Sequence, residues 1–229
     1  MIKFDVHDTQ PKGHLGFTLI ELLISIGIVA LLAALLLPAA ASTIKKLNIT
    51  KCANNLRQQH GAAMAFAADN SGTLPRAVDT GGVLFYRDVA PYMGYDINKR
   101  ANDYPVFMCP DRPLKVLANL VATKGGSIAY GGYLYNPWVC GITANGYPIK
   151  RLSQFEKPAN TWMIADGNGQ SAAYLIVPAT IEDRIAYDHT VGGDAKAQIV
   201  MLDGHVELKT VTEMKENKGN FWAEPRKPN

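Results

Sequence analysis

Residues 16–41 decide the fold of this chain, and they read G-F-T-L-I-E-L-L-I-S-I-G-I-V-A-L-L-A-A-L-L-L-P-A-A-A. From Leu22 to Ile44 no residue carries a charge. A helix of that length can cross the roughly 30 Å hydrocarbon core of a bilayer. One carboxylate, Glu21, stands at the start of the apolar run, where a charged side chain is costly and usually functional. The stretch therefore predicts a membrane-spanning helix with one acid near its N-terminal end.

The order of these features, a polar leader, a glycine, one acid and an apolar span, resembles the class III signal and N-terminal helix of type IV prepilins and type II secretion pseudopilins. The match runs residue by residue over G-F-T-L-I-E, residues 16–21. The resemblance implies that a prepilin peptidase cuts after Gly16 and that Phe17, the new N-terminal residue, is N-methylated. It also implies that Glu21 is needed for assembly and that Pro38 kinks the helix.

The physical chemistry of these residues agrees with that interpretation. Glycine lacks a Cβ, so a peptidase can approach the backbone at Gly16 closely. Cleavage would create an amine on Phe17, and Glu21 lies one helical turn further on, where it can face that amine or the amine of a neighbouring subunit. Either pairing offsets the cost of a carboxylate in lipid. An ordinary secretory signal, cut near residues 39–41, is the open alternative.

The charges that flank the span do not by themselves set its orientation. Lys3 and Lys12 precede the span, and a larger number of basic residues follows it. The positive-inside rule places the side with more Lys and Arg in the cytoplasm, so charge alone would leave the orientation undecided or reversed. The prepilin-like motif is the more specific signal for orientation. The leader is expected in the cytoplasm and the head in the periplasm, after a single pass through the inner membrane. The expected partners are the prepilin peptidase and methyltransferase, other pilin or pseudopilin subunits, and inner-membrane lipid.

Length and charge limit what the rest of the chain can be. About 185 residues follow the span, enough for one globular domain with a hydrophobic core. A net charge of +3 in 229 residues is too small to predict nucleic-acid binding. The predicted segments are a leader at 1–16, a transmembrane helix at 17–44, its amphipathic continuation at 45–70, a β-rich head at 71–212 and a tail at 213–229.

The helix is expected to continue beyond the membrane. After Lys46, apolar or small residues recur at spacings of three and four, which marks one face of a helix. This face holds Ile49, Cys52, Ala53, Leu56, His60, Ala63, Met64 and Ala67. The opposite face carries Asn54, Asn55, Arg57, Gln58 and Gln59. The turn formers and the proline of residues 69–75 end the helix.

The remaining sequence predicts a mainly antiparallel β-sheet. W-M-I-A-D-G, residues 162–167, is typical of a buried strand that ends in a turn. Asp203-Gly204 between the β-rich runs 197–202 and 205–211 is the strongest hairpin signal in the chain. V-F-M-C-P, residues 106–110, predicts a short strand ended by proline. The predicted fold class is therefore α+β, with a long N-terminal helix packed on an antiparallel head.

A second resemblance covers this body. It is similar to large pseudopilin-like proteins with a C-terminal processing-associated motif, which consists of a histidine, nine residues and Asp-Gly. Those proteins also carry stretches like K-C-x-N-N-L-R-Q, D-N-x-G-x-L-P, C-P and A-D-G, found here at residues 51–58, 69–75, 109–110 and 165–167. His189 is the candidate histidine and Asp203-Gly204 the candidate dipeptide, although thirteen residues separate them here.

The chain has three cysteines, Cys52, Cys109 and Cys140. A head outside the cytoplasm permits a disulfide, and the odd number leaves one thiol free or paired between chains. Cys109 and Cys140 are the preferred pair, although spacing does not settle connectivity. No two cysteines form a C-x-x-C, so the sequence lends no support to a metal or redox site.

Acidic and histidine residues late in the chain raise the question of a metal site. The spacing of His189, Asp203 and His205 fits no ligand pattern, and the turn explains Asp203 by itself. Asp166 and Asn168 alternate as calcium ligands do, but no acidic residue completes an EF-type loop. The expectation is no catalytic residue and no cofactor, with calcium the single ion considered.

These observations predict a structural subunit, not an enzyme, that polymerises into a type II secretion pseudopilus or a type IV pilus-like filament. The alternative is a membrane-anchored extracytoplasmic binding or metal-dependent catalytic domain that uses the signal only for export. The mature N-terminus separates the two: methylated Phe17 indicates the pilin route, and a start near Ser42 indicates ordinary secretion.

Overall fold

The computed structural model describes residues 18–79, 82–83, 85–98, 104–111, 132–141, 148–167 and 185–216. The chain divides into two compact units, Met1–Thr43 and Ile44–Asn229. One long helix, α1 (Leu19–Asp69), contributes residues to both. By length and composition, α1 contains a segment able to cross a membrane, as the sequence predicts.

The helix α1 begins with a capping box. The Glu21 carboxylate accepts hydrogen bonds from the Thr18 backbone N–H, at 2.9 Å, and from the Thr18 hydroxyl, at 2.8 Å. The Glu21 N–H donates to Thr18 Oγ1 in return, at 3.3 Å. This exchange satisfies donors that the first turn of a helix otherwise leaves unpaired. The helix then continues through Pro38 to Asp69.

In the second unit, α1 buries one face against the head. The fully buried members of the predicted apolar face are Cys52, Leu56, Ala63 and Ala67. Gln59, assigned by its polarity to the opposite face, is also fully buried, so that assignment is wrong. Its amide nitrogen donates to Val106 O at 2.8 Å, and its amide oxygen accepts from the Tyr135 hydroxyl at 3.0 Å. These bonds compensate the amide for the loss of water.

The described strands of the head form two antiparallel sheets. A two-stranded ribbon joins β1 (Val78–Asp79) to β2 (Gly82–Val83). The larger, five-stranded sheet consists of β3 (Tyr133–Tyr135), β4 (Trp162–Asp166), β5 (His189–Val191), β6 (Asp194–Met201) and β7 (Val206–Thr210). Strand β6 pairs with β4, β5 and β7, and β3 pairs with β4. The antiparallel sheet confirms the predicted α+β fold.

Short helices complete the described part of the head: α2 (Phe85–Val89), α3 (Pro137–Cys140) and α4 (Val211–Glu216). The strand predicted at 106–110 is wrong, because a 3₁₀ helix runs over Pro105–Phe107. Proline suits the first position of a helix, where its missing N–H costs nothing. Helix α4 occupies the start of the segment predicted as a loose tail, and its Met214 is fully buried. Residues 217–229 lie outside the described part.

The core of the head consists of two clusters of buried side chains. One includes Leu56, Phe107 and Met163, and the other includes Trp162 and Met214. All five residues of β4 are buried, and the strand contributes to both clusters. The last residue of β4, Asp166, therefore places a carboxylate inside the protein, away from water.

Candidate functional site

The first candidate site is the surface of α1 in the first unit. Its large apolar side chains are exposed, and they are Leu19, Ile20, Leu22, Leu23, Ile24, Ile26, Ile28, Val29, Leu31, Leu32, Leu35, Leu36 and Leu37. Apolar surface costs roughly 25 cal/mol per Å² when it faces water. A helix that is apolar on all sides is stable in lipid or against other such helices.

The residues predicted to direct processing and assembly lie at the beginning of this helix. Gly16 and Phe17 are outside the residues that the structure describes. Glu21 is described, and it closes the capping box with Thr18. The spacing T-x-x-E is the sequence signal of this local role of Glu21.

The second candidate site is a cluster of four buried side chains in the head, Cys52, Cys109, Asp166 and His189. One donor atom from each residue lies within 4.8 Å of the donor atoms of all the others. Cys52 Sγ lies 3.1 Å from Asp166 Oδ1. His189 Nε2 lies 3.2 Å from Asp166 Oδ2 and 3.6 Å from Cys109 Sγ. The exposed fraction is 2% for Cys109 and 0% for the other three residues.

Four separate parts of the head bring these side chains together. Cys52 belongs to α1, and Asp166 ends β4. His189 begins β5, and Cys109 follows the Pro105–Phe107 helix. The four residues are distant in sequence, so only the folded head can assemble the cluster.

Two parts of the chain contact the loop of Cys109: helix α1 and Gly132, the residue before β3. The Asn55 amide on α1 donates to Met108 O at 3.1 Å. Gly132 lies so near that a Cβ at this position would be 2.8 Å from the Cys109 backbone nitrogen. Real Cβ atoms do not approach backbone that closely, so only glycine fits at position 132 without a shift of the backbone.

A shell of polar groups surrounds the cluster. Asp111 Oδ2 lies 2.7 Å from His189 Nδ1, and the Asn48 amide donates to the other Asp111 oxygen at 2.7 Å. The backbone N–H of Gln198 donates to Asp166 Oδ2 at 2.7 Å. The Tyr133 hydroxyl lies 3.3 Å from Cys52 Sγ. Each of three cluster residues thus has a partner that fixes its orientation.

Burial and proximity shift the proton affinities of the cluster. Burial lowers the pKa of His189, but hydrogen bonds with Asp166 and Cys109 outweigh burial and raise that pKa to about 11. The hydrogen bond with Cys52 lowers the pKa of Cys109, whereas burial raises the pKa of Cys52. The cluster therefore combines His189, which favours its charged form, with Cys109, whose thiolate is favoured, and Cys52, whose neutral thiol is favoured.

The two halves of the candidate processing-associated motif have different surroundings. His189 belongs to the buried cluster. Asp203 and Gly204 lie in the turn between β6 and β7, where Asp203 Oδ1 is 2.6 Å from His205 Nδ1. Gly204 has φ of +95°, and a Cβ there would lie 3.0 Å from His60 Cε1. The turn alone accounts for Asp203 and Gly204, and their grouping with His189 stays a prediction.

The preferred disulfide between Cys109 and Cys140 is not formed. All three cysteines are free, buried thiols, and Cys109 instead belongs to the cluster with Cys52. Of the two residues considered for calcium, Asn168 lies outside the described residues, and Asp166 belongs to the same cluster. The spacing of cysteines in the sequence could not reveal this arrangement.

One signal in the sequence did point to the cluster. Cys52 stands in K-C-x-N-N-L-R-Q, Cys109 in C-P and Asp166 in A-D-G, and His189 was the candidate histidine. Taken singly, each stretch indicates a resemblance or a turn, and none predicts a shared site. The structure shows that the four stretches meet at one point.

Comparison with known families gives one match. Residues 11–37 match the family model described as the prokaryotic N-terminal methylation motif. The match includes Gly16, Phe17 and Glu21 and ends before Pro38. Comparisons with curated proteins and with solved structures found no match. The match supports a membrane-anchored structural subunit rather than an enzyme.

Proposed function

We propose that this chain, a type IV pilin- or pseudopilin-like protein by its N-terminal methylation motif, is a subunit of a type II secretion pseudopilus or a type IV pilus-like filament. One observation carries the proposal. The motif at residues 11–37 continues into a helix whose large apolar side chains are exposed. That combination suits a segment which is first held in lipid and then packs against identical segments.

In this proposal a prepilin peptidase cuts between Gly16 and Phe17, and Phe17 is then N-methylated. Cleavage gives Phe17 a free amine directly before Thr18. The Glu21 carboxylate already accepts a hydrogen bond from the Thr18 N–H. We therefore expect an amine one residue earlier to lie close to that carboxylate. The carboxylate is thereby placed to pair with the amine of its own chain or of an adjacent subunit.

Such pairing would give the apolar helices a defined register. Apolar contacts are not directional, so a bundle of such helices could slide without a polar contact. A carboxylate and an amine in a medium of low polarity attract strongly, and an unpaired charge there is expensive. We expect Glu21 to make only the aligned assembly favourable.

The proposed location follows from the same segment. The precursor is stored in the inner membrane on a single pass, with the leader in the cytoplasm and the head in the periplasm. The second unit, Ile44–Asn229, then forms the folded part on the outside. The rival function is an anchored binding or metal-dependent catalytic domain, and its catalytic form is disfavoured because the described donor cluster is closed to solvent.

The mature N-terminus tests the proposal. Mass spectrometry of the wild-type protein should show a chain that starts at Phe17 and carries one additional methyl group. Gly16→Val places a branched side chain at the cut site, and this variant should retain residues 1–16. Gly13→Val is the matched control, since the same change three residues upstream should leave processing intact.

Two results would contradict the proposal. A mature chain that starts near Ser42 would indicate ordinary secretion. A functional wild-type chain that keeps Met1 would show that the amine of Phe17 is never created.

A further inference from the structure

We propose that Cys52, Cys109, Asp166 and His189 bind one zinc ion and that this ion is a structural centre of the head. The proposal goes beyond assembly of a filament and does not depend on N-terminal processing. It rests on the distances between the donor atoms, on their chemistry, on the groups that surround them and on their burial.

The distances suit tetrahedral coordination. Zinc bonds of about 2.3 Å to sulfur and about 2.0–2.1 Å to nitrogen or oxygen place neighbouring donors of a tetrahedron about 3.3–3.8 Å apart. The observed separations are 3.6 Å from Cys109 Sγ to His189 Nε2, 3.2 Å from His189 Nε2 to Asp166 Oδ2, and 3.1 Å from Cys52 Sγ to Asp166 Oδ1, the other oxygen of that carboxylate. All four donors lie within 4.8 Å of one another. Donor pairs at that limit would have to close by about 1 Å when the ion binds.

The donor set selects the class of metal. Thiolate sulfur and imidazole nitrogen are the preferred ligands of zinc and other thiophilic metals. Calcium requires six to eight oxygen ligands and magnesium an octahedral oxygen shell. With two of its four donors sulfur, the cluster favours zinc over the calcium considered for Asp166 from the sequence.

The surrounding polar groups follow the pattern of a metal site. A histidine ligand usually donates its second ring N–H to a carboxylate, which fixes the tautomer and the orientation of the ring. Asp111 occupies that position at 2.7 Å from His189 Nδ1, which leaves Nε2 to face the cluster. Asn48 in turn holds Asp111. Gln198 and Tyr133 contact Asp166 and Cys52 from outside the cluster.

Charge is compatible with a bound ion. A buried thiolate or carboxylate is expensive unless a positive charge compensates it. Zinc binding displaces the thiol protons, and the divalent cation then offsets most of the three negative charges of two thiolates and a carboxylate. A protonated His189 between Asp111 and Asp166 is the metal-free alternative. That ion pair does not explain why two cysteines from distant parts of the chain meet at the same place.

The site is closed, which indicates a structural role. Catalytic zinc sites keep one coordination position for water or substrate, whereas structural sites use four protein ligands. The four ligands here have an exposed fraction of at most 2%. They come from α1, the Cys109 loop, β4 and β5, so one ion would join four parts of the second unit. Because the unfolded chain has no preformed site, the free energy of zinc binding stabilises the folded head.

Metal content measured by mass spectrometry provides the first test. The full-length chain, purified in detergent and exposed to zinc alone before buffer exchange, should retain about one zinc per chain. Cys52→Ser and Cys109→Ser should each lose it. Cys140→Ser is the matched control, because Cys140 is a free cysteine of equal burial that is not part of the cluster.

A second test does not depend on whether a ligand variant folds. Wild-type chain loaded with Co²⁺ should show the visible bands of a tetrahedral ion and the charge-transfer absorption of thiolate ligands. Asp111→Asn keeps all four ligands and removes only the carboxylate behind His189. Its zinc affinity, measured by competition with a chelator, should fall about 10–100-fold.

Several results would overturn the proposal. They are a wild-type chain that retains no stoichiometric zinc, a cobalt complex without thiolate absorption, and zinc retained at wild-type level in Cys109→Ser. A disulfide between Cys52 and Cys109 in the mature protein would also overturn it. None of these results would bear on cleavage after Gly16, so the filament proposal would stand or fall separately.

Discussion

Two helices of this protein begin with the same capping box in different surroundings. At the start of α1, Glu21 accepts from the N–H and the hydroxyl of Thr18 at 2.9 and 2.8 Å. At the start of α4, Glu213 accepts from the same groups of Thr210 at 2.7 and 3.0 Å. The return bonds measure 3.3 and 3.2 Å. The local geometry of the two carboxylates is therefore nearly identical.

The residues that follow the two boxes differ completely. After Thr18 the apolar side chains are exposed, as at Leu22 and Leu23. After Thr210, Met214 is fully buried in the second core cluster of the head. The comparison teaches that the cap does not define the role of the carboxylate. In the proposed filament, the exposed apolar surface that follows Thr18 is what would bring Glu21 close to another chain.

The largest expected effect separates these two roles. Glu21→Ala should reduce filament assembly to the background of a strain that lacks the protein, because it removes the partner of the proposed amine. Glu213→Ala should leave assembly intact and cost only about 0.5–2 kcal/mol of head stability, the usual loss of a helix cap. Filaments are counted by electron microscopy, with membrane insertion checked by fractionation.

A conservative variant sharpens this test. Glutamine also closes a capping box, so Glu21→Gln preserves the cap and removes the charge. Assembly should fail in Glu21→Gln as it does in Glu21→Ala. Normal filaments from Glu21→Gln would show that capping alone is the function of Glu21.

The next effect compares two leucines of the same helix. Leu56 is fully buried in the head, whereas Leu32 is exposed in the first unit. Leu56→Ala should lower the free energy of unfolding of the head by about 2–5 kcal/mol, because it leaves a cavity. Leu32→Ala should leave that free energy unchanged. Denaturant unfolding followed by tryptophan fluorescence measures both, since Trp138 and Trp162 are buried in the head. Equal losses in the two variants would contradict the division into an exposed and a packed half.

A smaller effect is expected at two glycines of the head. Gly204 and Gly192 both have positive φ, +95° and +66°. A side chain in this conformation costs about 1–2 kcal/mol, so both alanine variants should be destabilised. Gly204→Ala should lose more, because its Cβ would lie 3.0 Å from His60 whereas Gly192 has open space. Thermal unfolding of the two variants gives the comparison, and a smaller loss at Gly204 would show that His60 moves freely.

The smallest effect concerns the hairpin turn. Burial lowers the pKa of His205, but hydrogen bonds with Asp203 and Glu207 outweigh burial and raise that pKa above its ordinary value. The stabilising interaction is therefore fully present below the pKa of the unfolded chain and is lost as pH rises through the raised value. Asp203→Asn should lower the pKa of His205, measured by NMR titration. An unchanged pKa would show that the 2.6 Å contact with Asp203 does not persist in solution.

The sequence predicted the features that depend on residues close together in the chain. The uncharged run from Leu22 predicts the exposed helix, and Asp203-Gly204 predicts the hairpin between β6 and β7. Local patterns failed to predict burial where a residue distant in the sequence supplies the hydrogen bonds of a polar side chain. Gln59 is buried because Val106 and Tyr135 supply its hydrogen bonds, and no periodicity within α1 reveals that.

By itself, therefore, the sequence determined the N-terminal motif, the long helix, the antiparallel character of the head and its hairpin. Each of these rests on hydrophobic period, length or turn chemistry, which act over a few residues. Only the tertiary structure decided that Cys52, Cys109, Asp166 and His189 share one buried point. Residues this far apart in the sequence become neighbours only when α1, a loop and two strands pack together. No local pattern shows which distant residues will meet.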